Sequence, residues 1–191
     1  MLRLRSVRQL VPALLVSGLA LTTLATPASA QDVMSKEAAA AVKAAYVADL
    51  EAMRVKFVGL AEAFPQDKYT FRPMEGVRSV SEVLMLLATE GYGYAPSAVG
   101  APAAMPREEM TKLRALTDKA QIIDHLNKGF AYAKAEIEKV DPATLTGKRK
   151  AGNAERNVVE SMLAVTGDMH EHLGQMIAYA RMNKIVPPWS K

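Results

Sequence analysis

Four stretches of this chain repeat apolar residues at steps of three and four, and a proline closes each one. Such a step places those residues along one side of an α-helix, so each stretch must bury one face. The first is predicted over Lys36–Glu62, capped by Ser35, with Val42, Tyr46, Leu50, Met53, Phe57 and Leu60 as its stripe; it stops before Pro65. The second opens at Ser79, where Ser79 and Glu82 read as a capping box, carries Val83, Leu84, Leu86 and Leu87, and ends near Tyr94, before Pro96. The third follows Thr117, with Ile123, Leu126, Phe130, Ala133, Ile137 and Val140, and ends at Asp141-Pro142. The fourth runs from about Asn153 to about Asn183, with Val158, Met162, Val165, Met169, His172, Met176 and Tyr179, and Pro187-Pro188 closes it. Four amphipathic helices in one domain-sized chain predict an all-α four-helix bundle. The connection from Ala95 to Leu116 holds Pro96, Pro102 and Pro106 and predicts one long crossover loop, with a short helix near Arg107–Leu113. The methionines on these stripes are core fillers and need no cofactor to explain them.

The first thirty residues have a different character. Arg3, Arg5 and Arg8 precede an apolar stretch from Leu10 to Ala25, and Ala28-Ser29-Ala30 is a small-residue cleavage pattern before Gln31. This is the pattern of a secretory signal peptide over 1–30, cleaved after Ala30, which predicts a secreted or periplasmic domain over 31–191. The apolar run is short for a bilayer span and contains Pro12, so no membrane contact is expected after cleavage. The chain carries 24 basic and 20 acidic residues. Without the three signal arginines the balance is 21 to 20, so the excess charge belongs mainly to the export segment. A nucleic-acid binder would need a basic face, and none is expected. Lys148-Arg149-Lys150 reads as a solvated loop cluster. With no cysteine, neither a disulfide nor a thiol nucleophile is available, and packing alone must hold the fold.

Candidate chemistry gathers on the fourth helix. Asp168 and His172 are four residues apart, within about 40° on the helix surface, and both lie on or beside the apolar stripe. They can hydrogen-bond each other or share a metal such as Zn²⁺ or Ni²⁺. His170 points roughly 160° away from His172 and should face solvent. His125 sits beside the third stripe in a structural or surface role. Ser161 has no triad partners, and no phosphate loop or zincin pattern occurs.

Further motifs carry a family resemblance. The segments Phe64–Pro73, Gly76–Leu84, Asp168-Met-His-Glu-His-Leu-Gly-Gln175 and Tyr179–Pro188 resemble the helix-one exit, helix-two opening and last helix of the DinB-like (YfiT-like) proteins. The resemblance implies an up-down-down-up bundle and leaves a homodimer through a bundle face open. It also implies a three-ligand metal site, with one histidine on helix two and a His-x-x-x-His pair on helix four. By position, those ligands fall on Leu86, Asp168 and His172. Leucine cannot bind a metal, aspartate can, and His172 is retained. Glu90, one turn beyond Leu86, is a candidate for the missing ligand, as is Glu82, one turn before it. Three functions then compete. Leu86 favours a binding protein with a degenerate metal site, holding a small molecule or a partner in the bundle cleft. The alternative is a metal-dependent hydrolase or transferase with a rearranged Asp168/His172/Glu90 site. The third is a scaffold whose Asp168–His172 pair only satisfies a buried polar position. A binding protein predicts a dry apolar cleft under Leu86, and a scaffold predicts an exposed patch around Tyr92, Tyr94 and Trp189.

Overall fold

The computed structural model describes residues 34–151 and 153–190. The expected signal segment over 1–30 lies outside them. In chain order the elements are α1 (Lys36–Ala63), α2 (Val80–Thr89), a π-helical turn (Glu90–Tyr94), α3 (Ala95–Val99), α4 (Arg107–Leu113), α5 (Lys119–Lys139), β1 (Lys148–Ala151), β2 (Ala154–Asn157) and α6 (Val158–Met182), with 3₁₀ turns at Gln66–Lys68 and Pro142–Thr146. The domain is mostly helical, as the stripes require. No helix among the described residues is long and apolar enough to cross a membrane.

Local chemistry sets most of the boundaries. Ser35 accepts from the Ala38 N–H and starts α1, and Asp118 accepts from the Gln121 N–H and starts α5. Ser79 and Glu82 form the full capping box of α2, and Asn157 and Glu160 repeat it on α6. The stripes of α1, α5 and α6 converge on one core, with Phe57 stacked on Phe130 at 6.4 Å between ring centroids. Val42, Ile123 and Val140 pack on its margin. α2 differs from the other long helices. From Val80 to Thr89 every residue but Glu82 is buried, so it is a central element rather than an amphipathic one.

Three expectations are corrected. The second helix does not end before Pro96. The π turn feeds directly into α3, and Pro96 sits in the first turn of that helix, where its missing N–H costs nothing. The crossover is therefore shorter than expected and partly helical, with α4 spanning Arg107–Leu113. Lys148, Arg149 and Lys150 are not a loop. They form strand β1, paired antiparallel with β2, and α6 starts at Val158 rather than near Asn153. The hairpin escaped detection because neither strand alternates apolar and polar residues.

The helical run through Glu90 crosses α5 with backbones almost touching. A Cβ at Gly91 would stand 2.6 Å from the Gly129 carbonyl carbon, and one at Gly129 would strike the Ala88 carbonyl oxygen. Only glycine fits either position. This double-glycine crossing fixes the π turn, and with it the direction of the Glu90 side chain.

Candidate metal centre

Three side chains from two elements meet beside the core. Glu90 opens the π turn, and Asp168 and His172 lie one turn apart on α6. Each offers one ligand atom, and the three atoms lie within 4.8 Å of one another. Leu86, one turn earlier, is nearly buried and contributes no donor. Glu90 stands one turn along the same run from the position where the family resemblance places a helix-two ligand.

Glu90 is 7 % exposed, and its Oε2 has no hydrogen-bond partner among the described residues. Burial, followed by the adjoining Asp168 carboxylate, pushes its acidity up to about 9, against weaker opposing pulls from Arg114 and Arg78. Such a carboxyl keeps its proton at neutral pH and releases it to a cation that binds there.

The histidine is prepared from behind. Its Nδ1 lies 2.9 Å from Gln175 Oε1; Gln175 Nε2 donates to the Tyr179 hydroxyl at 2.8 Å, and that hydroxyl donates to the Arg78 carbonyl at 2.9 Å. A carbonyl can only accept, so the direction of every bond follows back along the chain. Tyr179 must donate to Arg78, so its oxygen accepts from Gln175, and Gln175 Oε1 must accept from His172 Nδ1–H. That tautomer leaves the Nε2 lone pair free, 3.8 Å from Asp168 Oδ2. Spacing could have revealed this relay, since Gln175 and Tyr179 stand three and seven residues beyond His172.

The donor set fits a divalent cation: two carboxylates, one neutral imidazole with a fixed tautomer, and a buried oxygen with no other partner. Asp168 keeps 39 % of its side chain exposed, so the cluster faces an opening rather than a sealed cavity.

The other sequence candidates serve elsewhere. Glu82 accepts both Arg72 guanidinium donors at 2.5 and 2.6 Å and the Ser79 N–H at 2.7 Å, so it caps its helix and is no ligand. His125 Nδ1 pairs with the Tyr92 hydroxyl at 3.1 Å. His170 is half exposed, and its Nε2 lies 3.1 Å from both Asp49 oxygens. Ser161 donates to the Asn157 carbonyl. Tyr92 is buried, so only Tyr94 and Trp189 of the expected patch are exposed. The space beside Leu86 is no dry apolar cleft either. It is an open pocket of ≈ 400 Å³ whose walls include Arg72, Arg78, Glu82 and Arg114.

No curated protein matches this chain. The DinB superfamily pattern matches residues 49–176, a span that contains Glu90, Asp168 and His172 and most of the helical core. That match covers well over half of the chain, and the protein belongs to the DinB superfamily.

Proposed function

We propose that this chain is an exported, divalent-cation-dependent hydrolase or transferase whose metal site has been rebuilt, with Glu90 taking the place of the ligand lost at Leu86. One observation carries this reading: the buried, unpartnered Glu90 Oε2 aimed at Asp168 and His172. A structural role would satisfy that oxygen with a donor, because a buried polar atom left unpaired costs about 1–3 kcal/mol. A divalent ion such as Zn²⁺ or Ni²⁺ held by three protein ligands polarises bound water or a substrate oxygen.

The chain's own groups then have distinct tasks. His172 presents Nε2, held in its tautomer by Gln175. Asp168 closes the exposed side of the cluster. Glu90 supplies the buried oxygen and gives up its proton on loading. The frame supporting them is taken as the up-down-down-up four-helix bundle of the family.

The test is elemental analysis of the untagged full chain after brief exposure to Zn²⁺ or Ni²⁺ and dialysis. Near one equivalent, lost in both His172→Ala and Glu90→Gln, is the expected result and justifies hydrolase screening. No retained metal in the wild-type chain would overturn the proposal and leave Leu86 as the mark of a metal-free binding protein. Export belongs to the same proposal and is checked separately: the mass of the exported protein should correspond to a chain starting at Gln31. Gel filtration of that species tests the homodimer.

A further inference from the structure

The hairpin carries an arrangement that costs stability unless something else binds. In the antiparallel register Arg149 stands directly opposite Arg156, so both guanidinium groups project from the same face. Like charges opposite each other across a ladder repel. Neither arginine forms an ion pair among the described residues. Arg149 Nε is buried without an acceptor. Its guanidinium lies where a Cβ would stand at Gly100, the left-handed residue that ends α3, so the backbone makes room for the charge rather than neutralising it.

Both arginines line a pocket of ≈ 240 Å³ between the hairpin, α3 and α6, with Lys150, Tyr94, Ser97 and Ser161 among its other walls. The two serine hydroxyls already donate to the Tyr94 and Asn157 carbonyls. The free donors facing this space are the two guanidinium groups, the Lys150 ammonium and the Tyr94 hydroxyl. A pocket offering several cationic donors and no carboxylate suits one class of ligand.

We infer that this pocket is an oxyanion site, which takes a phosphoryl or carboxylate group of a small molecule between Arg149 and Arg156. Resting on the metal reading above, the site also defines a substrate class. Ser161 and Asp168 are seven residues apart on α6, about 10 Å along the helix. A substrate anchored here by an anionic end would present a bond roughly that far away to the Glu90–Asp168–His172 cluster, with Tyr94 between the two.

The experiment uses the full chain in excess chelator, so that metal plays no part. Thermal unfolding and calorimetry are followed against inorganic phosphate, and separately against acetate, at constant ionic strength set with chloride. Phosphate or acetate should bind and raise Tm, and the stronger of the two names the group. Arg156→Gln should weaken that binding by about tenfold or more, as should Arg149→Gln. Arg156→Gln should also raise the Tm of the anion-free protein, since it removes the repulsion, an outcome that a merely structural arginine would not give. Lys112→Gln, which alters a cation on α4, should change neither. The absence of binding by both anions, or equal binding by wild type and Arg156→Gln, would overturn the site. Metal retention by Arg156→Gln is measured in parallel, so failure of the oxyanion site is distinguishable from failure of the metal site.

Discussion

Glu82 and Glu90 occupy the two ends of one helical run and live in opposite conditions. Glu82 stands in the first turn of α2, where it receives a backbone N–H and both arms of Arg72, and these contacts hold its acidity below the usual carboxylate range. Glu90 opens the π turn, buried, with one oxygen bare and a second carboxylate beside it, and its acidity rises to about 9. Sequence spacing makes both candidates for the third ligand, since each is one turn from Leu86. What separates them is the supply of donors. A fully satisfied carboxylate is finished structure; a starved one, kept in place by a rigid crossing, is a group waiting for a cation.

The sharpest way to break the contrast is to neutralise each in turn. Glu90→Gln should lower metal affinity by more than about 100-fold, the upper end of what losing a supporting contact costs, whereas Glu82→Gln should leave it unchanged. Titration calorimetry with Zn²⁺ reads both. Next in size is the crossing that aims Glu90. Gly129→Ala should destabilise the fold by about 1–3 kcal/mol, because the added methyl meets the Ala88 carbonyl; denaturant midpoints measure the loss. Gln175→Leu removes the acceptor of His172 Nδ1–H and should reduce metal affinity by about 10–100-fold with little change in Tm.

The smallest effect is a pH signature in which the two glutamates act with opposite sign. Glu90 has a raised acidity constant, so the folded metal-free protein holds a proton that the unfolded chain has released. Its stability should therefore fall as pH rises from about 4.5 towards 9, and Glu90→Gln should flatten that fall. Glu82 has a lowered one, so its contribution is complete above about 4.5 and is lost as pH drops through its folded value. Glu82→Gln should thus lower Tm slightly at neutral pH and make no difference in strong acid. Thermal scans in chelator across this range would show both slopes.

The helices were legible because burial leaves a periodic trace: Leu50, Phe57, Leu126, Val165 and Met169 all sit in the core that their spacing predicts. Caps were legible because Ser35 and Ser79 act within three residues. Asp168 and His172 could be paired for the same local reason. The approach of Glu90 was not fixed by spacing, because it depends on a π turn and on two glycines 38 positions apart in the chain making backbone contact. The hairpin was invisible for a different reason. Its strands are held by their register and by the pocket they wall, and no apolar alternation marks them.

A π turn is an α-helix with one surplus residue wound into it. Loss of a single residue between Glu90 and Tyr94 would let the run relax to regular α-helix and rotate everything beyond it by about 100° relative to everything before. The lineage of such a centre can then be written in insertions and deletions as well as in substitutions. One codon gained or lost in this turn would hand the ligand position from one helical turn to the next while every ligating side chain stayed in the gene.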